Sequence, residues 1–320
     1  MTQNTQSYTN QSTIEDRLAG VLYGVAVSDA LGAPLEFLDT ETIRRRHGTV
    51  REMIGGGWLD VKPGEVTDDT QMTLCVAEGI VENPVAPVVP IGRRFVEWYK
   101  SGPKDVGGTC DMSISGAMRF AKNPNSPEAE DWFVASTSTH FNSGYRSAGN
   151  GTLMRTAYVG MYYRNEEDVS AYARFISEMT HYDPLAGDAC DAYSLMIHRM
   201  IRRDADRLAM IPATIKELGY DEVYDCDLLA SPAYTPNPSG YVVDSFRAAL
   251  HCILTTSSFE DAVVKAVNLG GDADTVGAIT GGLAGALYGF HAIPARWRDK
   301  LEADVAAQID RLNAAALAQY

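Results

Sequence analysis

Residues 268–295 read NLGGDADTVGAITGGLAGALYGFHAIPA, and this stretch decides the fold. From Val276 to Ala295 there is no formal charge over 20 positions, about the length that crosses a bilayer. Glycines at 277, 281, 282, 285 and 289 give the run a small-residue face, Pro294 closes it, and Asp272 and Asp274 stand at its start. Small residues let helix backbones approach closely, so the segment is expected to be a buried, glycine-faced core helix and not a membrane span. No second stretch is expected to compete as a span.

Outward from this helix the periodicity stays helical. Ile14, Leu18, Val21, Leu22 and Val25 recur at helical spacing, as do Phe246, Leu250 and Ile253, then Phe259, Val263 and Val267, and Trp297, Leu301, Val305, Ile309 and Leu312. Strand alternation is scarce. The reading is one compact all-α domain over residues 13–320, preceded by a loose polar arm, MTQNTQSYTNQS, over 1–12. Loop signals fall at 54–64, 101–108, 131–151 and 231–240, the last two long enough to serve function.

The chain has 320 residues, with 27 Lys and Arg against 42 Asp and Glu, a balance of −15. A phosphate backbone or anionic membrane is held by clustered cations, so nucleic-acid and general membrane binding are disfavoured. Five widely spaced cysteines without a CxxC pair point to reduced thiols, not to a disulfide frame or zinc site. The first residues lack a signal-peptide pattern, and a cytoplasmic protein with no integral membrane segment is expected.

Two helix starts share one grammar. Thr67-Asp68-Asp69-Thr70 precedes the apolar-periodic Met72, Leu74, Val76 and Ile80, and Asp272-Ala273-Asp274-Thr275 precedes the glycine-rich helix. Capping explains part of this, because hydroxyls and carboxylates satisfy free amides at the positive end of a helix. It does not explain two acids and a hydroxyl at both starts, one of them behind the paired glycines Gly270 and Gly271, which clear space close to the backbone. Carboxylate and hydroxyl oxygens suit hard divalent ions, and facing starts could hold two with bridging carboxylates.

Further segments stand in order along the chain: GVLYGVAVSDALGAPLEF at 20–37, MIGGGWLDVKPGEVTDDTQM at 53–72, DVGGTC at 105–110, AGNGTLMR at 148–155, Thr180-His181, and GYVVDS at 240–245. Together with the glycine-rich helix, this ordered set resembles the ADP-ribosylglycohydrolase family across nearly the whole chain. The likeness is greatest to the branch that removes ADP-ribose from an arginine of dinitrogenase reductase. The resemblance implies an all-α fold with a binuclear Mn²⁺ or Mg²⁺ centre in a cleft, built from Thr67, Asp68, Asp69, Asp272, Asp274 and Thr275. It implies Asp105 as the catalytic carboxylate and Glu36 as a supporting or catalytic acid beside the metals. Without it, Asp105 reads as a turn aspartate and Glu36 as a loop acid.

Gly107, Gly108 and Thr109, with Asn150, Gly151 and Thr152, offer backbone amides that can converge on a diphosphate. Otherwise they are loop residues. His181 and Tyr241 are further substrate-binding candidates by resemblance, each with an ordinary structural alternative. Gly108 stands where the dinitrogenase reductase branch typically has Asn, and the segment Ser126–Tyr145 is longer than its counterpart. Both bear on the protein substrate more than on the reaction. The resemblance also implies a PII-type regulatory partner and membrane association through a partner. Competing readings are an ADP-ribosyl-arginine hydrolase with another protein target, a non-catalytic ADP-ribose binder, and a two-metal phosphoesterase.

Overall fold

The computed structural model describes residues 12–320; the expected arm lies outside the described residues except for Ser12. The helices are α1 (Ile14–Gly32), α2 (Thr40–His47), α3 (Asp68–Glu82), α4 (Val88–Lys100), α5 (Gly108–Phe120), α6 (Ala129–Asn142), α7 (Ala157–Tyr162) and α8 (Glu166–Glu178). They continue as α9 (Pro184–Arg202), α10 (Met210–Leu218), α11 (Cys226–Leu229), α12 (Val242–Leu254), α13 (Phe259–Val267), α14 (Ala273–Tyr288), α15 (Ala295–Arg298) and α16 (Ala303–Leu317). Among the described residues there is no strand, only three isolated bridges.

The glycine-rich segment forms α14, buried from Ala273 to Leu287 and packed along α1. Gly20 faces Gly285, Gly24 faces Gly281, Ser28 faces Gly277 and Gly32 faces Ala273, an antiparallel register in which added methyl groups on the glycines would overlap the opposite backbone. That closeness maximises dispersion contacts between the two helices. It also fixes the site: Asp29, near the C-terminal end of α1, comes beside Asp274, at the N-terminal end of α14. The helix stops at Gly289, whose φ of 86° few side chains tolerate.

Two expectations need correction. A second stretch, Ile14–Leu35, is also long and apolar enough to span a membrane, and 94% of its apolar window is buried inside the protein. Its apolar character reflects a helix enclosed on most sides, not contact with lipid. The segment 131–151 is not a loop throughout, because α6 occupies 129–142. Trp132, Ala135, Ser136 and Thr139 recur at helical spacing on its buried face, and Glu128 and Asp131 close a reciprocal capping box at its start. The five cysteines are all free thiols.

Candidate active site

The two acidic helix starts face each other. Thr275, in the first turn of α14, donates its hydroxyl to Asp69 Oδ2 at 3.3 Å across to the first turn of α3. Asp29, Asp69 and Asp274 can bring one carboxylate oxygen each within 4.8 Å of one another, and so can Glu36, Asp272 and Asp274. Asp274 therefore belongs to both triads. Asp69 Oδ1 is buried without a hydrogen-bond partner. An all-oxygen donor set with a shared carboxylate and an orphaned buried oxygen fits divalent cations of the hard class.

The electrostatics agree with that fit. Burial, followed by the charge of Asp105 and Asp29, drives the Asp68 carboxyl well above the usual range. Burial and neighbouring carboxylates do the same to Asp69 and Asp274. Burial raises Asp29 to about 6 against the opposing hydrogen bonds from Thr70 and Thr67. Glu36 rises to about 7, mainly through burial, with the Trp58 hydrogen bond opposing and Asp272 and Asp105 adding repulsion. These acids are costly to ionise together unless a cation sits among them.

Capping works differently from the sequence expectation. Thr67 precedes α3, but its side chain does not accept from the helix; its hydroxyl donates to Asp29 Oδ1 at 2.8 Å. Asp29 instead accepts the amides of Thr67 at 3.0 Å and Thr70 at 3.1 Å, together with the Thr70 hydroxyl. A carboxylate is the stronger acceptor at the positive helix end, so α1 supplies the cap of α3 from 38 residues upstream. Asp272 precedes α14 without capping it, and its Oδ2 accepts from Asn150 Nδ2 at 2.7 Å.

One pocket of about 340 Å³ gathers Glu36, Asp68, Asp69, Asp105, Gly107, Gly108, Thr109, Asn150, Gly151, His181, Asp272, Asp274 and Thr275. Thr67, Thr152 and Tyr241 do not line it. Thr67 is turned back towards Asp29, and Thr152 is buried behind the wall against Cys190. Tyr241 immediately precedes α12 and is 42% exposed, leaving Gly240 at the pocket edge. Asp105 accepts from the Val106 amide at 2.8 Å, and burial raises its carboxyl.

The glycines divide into two kinds. Gly270 and Gly271 have φ of 74° and 61°, and a Cβ would overlap Leu38 at the first and Pro238 at the second. The space they clear is filled by protein backbone, not by a ligand: Phe37 donates to the Gly271 carbonyl at 2.7 Å, and Gly271 donates back to Leu38 at 2.8 Å. That exchange carries Glu36 to the pocket. Gly107 and Gly108 instead have nothing within 4 Å of a hypothetical Cβ and lie open on the pocket side at the start of α5. First-turn amides there have no partner within the helix and can receive an anion.

Sequence reading missed Asp29, the third member of the first triad. The available signal was a lone acid inside an apolar helix, which is stable only if paired or hydrogen-bonded. It also missed Trp58, whose indole donates to Glu36 Oε2 at 2.6 Å and whose ring lies 5.4 Å from that of Phe37. An exposed tryptophan in a glycine-rich turn carries no local sign of a carboxylate partner 22 residues away.

A sequence model described as ADP-ribosylglycohydrolase matches residues 10–320. The chain is 33% identical over 315 residues to the ADP-ribosyl-[dinitrogen reductase] glycohydrolase of Rhodospirillum rubrum, covering 96% of this chain and 97% of that one. It is 31% identical over 301 residues to the ADP-ribosylarginine hydrolase Tri1 of Serratia proteamaculans strain 568, covering 89% and 75% of the two chains. Among solved structures, an ADP-ribosylglycohydrolase-related protein complex superposes with a TM-score of 0.76 at 30% identity, covering 96% of this chain and 98% of that one.

Proposed function

The chain belongs to the ADP-ribosylglycohydrolase family, and from that premise we propose that it hydrolyses the N-glycosidic bond between ADP-ribose and an arginine side chain of a protein. The observation that carries this reading is the pair of carboxylate triads sharing Asp274, all of whose members but the buried Asp29 line one pocket with Asp105 and an open glycine loop. Two divalent cations, Mn²⁺ or Mg²⁺, would be held by Asp29, Asp69 and Asp274 and by Glu36, Asp272 and Asp274, with Asp68 and Thr275 beside them. Bound there, such ions supply Lewis acidity towards the ribose hydroxyls and the attacking water.

The chain's own residues account for the rest. Breaking the C–N bond leaves positive charge on the ribose, and Asp105 offers a carboxylate to offset it or to take a proton from water. Water oxygen joins the anomeric carbon, and the departing guanidine leaves protonated. The acidic wall favours that cationic leaving side by complementarity. Unpartnered amides at the start of α5 and the polar edge of His181 seat the diphosphate. Glu36, held by Trp58, keeps the second triad in place.

The relative from Rhodospirillum rubrum makes ADP-ribosylated dinitrogenase reductase the first protein substrate to test. Cytoplasmic action under a PII-type regulator belongs to the same reading. The test is incubation with Mn²⁺ of ADP-ribosylated dinitrogenase reductase and a panel of other ADP-ribosyl-arginine proteins, followed by mass analysis. Release from dinitrogenase reductase alone supports that target; release from the panel supports a broader hydrolase. Tight ADP-ribose binding without release from any of them makes the chain a binder and removes the enzymatic reading.

A further inference from the structure

Arg155 is fully buried and forms no ion pair among the described residues; its Nε has no hydrogen-bond partner, and one terminal nitrogen donates to Cys110 Sγ at 3.6 Å. Its guanidinium donates to the Gly151 carbonyl at 2.6 Å, to the Ile176 carbonyl at 3.2 Å and to the Thr180 hydroxyl at 2.8 Å, and it lies 5.0 Å from the centre of the Phe95 ring. A buried cation without a carboxylate is expensive, so its neighbours bear its charge through oriented dipoles. Two of those contacts lead towards the pocket. Gly151 lines it directly, and the Thr180 oxygen lies 2.7 Å from Nδ1 of His181, which also lines it.

A guanidinium only donates, so the Thr180 oxygen accepts from Arg155 and its own hydrogen remains free to donate. The His181 Nδ1 lies 2.7 Å away. A Thr180 hydrogen aimed there leaves Nδ1 bare and the ring proton on Nε2. Nε2 is the ring atom nearest Gly149, 3.0 Å from where a Cβ there would stand, and lies 3.6 Å from the corresponding point on Gly151. Burial and the charge of Arg155 also hold this imidazole well below its ordinary pKa, which keeps it neutral.

We propose that Arg155 and Thr180 are positioning residues that lock His181 as a neutral imidazole with its proton on Nε2, giving the glycine wall one fixed hydrogen-bond donor for phosphate oxygen. Arg155 reaches no ligand itself; it acts through the Thr180 hydroxyl and through the Gly151 carbonyl, to both of which it donates. The ligand class rests on the proposed ADP-ribosyl hydrolase reading, whereas the proton position does not.

The test is ¹⁵N NMR of histidine-labelled protein, with the His181 signals assigned by their loss in His181→Gln. The wild-type ring is expected to be protonated on Nε2, with Nδ1 shifted as a hydrogen-bond acceptor. Thr180→Val, nearly isosteric and leaving Arg155 in place, is expected to move Nδ1 to the position of a free ring nitrogen and to weaken ADP-ribose about tenfold. Thr180→Ser, which keeps the hydroxyl, is expected to restore both. A wild-type ring protonated on Nδ1, or a Thr180→Val protein that matches wild type in Nδ1 shift and ADP-ribose affinity, overturns the proposal. The nitrogen spectrum needs no turnover, so failure of the hydrolase reading would show separately as absence of cleavage by a wild-type protein whose ring carries the predicted proton.

Discussion

Asp29, Asp69 and Asp274, with Glu36 and Asp272, crowd oxygen atoms into two overlapping triads, and all of these but Asp29 line the pocket. Gly107, Gly108 and Gly151 line the same pocket with backbone, and Arg155 is buried beneath the loop. The acidic wall is overcharged and needs a cation; the glycine wall presents backbone amides and neutral side chains, His181 among them, backed by a buried positive charge. A chain with a balance of −15 can thus receive an anionic ligand, because its charge is segregated across one pocket.

Breaking the acidic wall should cost the most. Asp274→Asn removes the carboxylate shared by both triads and is expected to lower hydrolysis on the order of 10³-fold while far-UV circular dichroism stays helical. Wild-type turnover in that variant would separate the triads from the chemistry. Between the walls, Asp105→Asn is expected to lower kcat by about 10²-fold or more, with metal-induced thermal stabilisation unchanged. A loss confined to metal affinity would reassign Asp105 to the acidic wall.

The glycine pairs sharpen the comparison through stability. Gly270→Ala places a methyl group against Leu38 at positive φ and is expected to destabilise the fold by about 2 kcal/mol in urea unfolding. Gly108→Ala meets nothing and should leave the urea midpoint unchanged while weakening ADP-ribose severalfold by crowding the anion seat. Equal effects at both positions would erase the distinction.

Removing metal should expose the acidic wall's repulsion as a pH dependence. Asp29 and Glu36 have ordinary values of 3.8 and 4.5 and rise to about 6 and about 7 in the fold. Between those limits the folded protein holds protons that the unfolded chain has released. The stabilisation is therefore complete below pH about 4 and is lost as pH rises through about 6 to 7. The melting temperature of chelated protein is expected to fall from pH 5 to pH 8, and Mn²⁺ is expected to flatten that slope. A chelated protein that gains stability over the same range contradicts the arrangement. The smallest expected effect belongs to Trp58→Phe, which keeps the ring against Phe37 but drops the donor to Glu36; kcat is expected to fall a fewfold with KM unchanged.

The α14 helix, the all-helical architecture and the two acidic starts were legible because glycine spacing and acid spacing are local signals. The register of α1 on α14 was not, since it depends on which glycines meet, and with it went Asp29. The segment 131–151 read as loop because the polar run Ser136, Thr137, Ser138 and Thr139 obscured a helix whose buried face rests on Trp132 and Ala135. Gly270 and Gly271 were legible as a close approach, but what approaches them is decided by the distant Leu38 and Pro238. Arg155 and Thr180 stood in two of the quoted segments, but nothing local showed that they meet, because a buried cation's partners are set by tertiary packing.

The most direct measurement is product analysis of a synthetic ADP-ribosyl-arginine incubated with the protein in Mn²⁺ and, separately, in excess chelator. Free ADP-ribose and unmodified arginine in Mn²⁺, with neither formed in chelator, is the predicted result. AMP and a ribose phosphate product, or equal cleavage in chelator, would contradict the opposed-wall account.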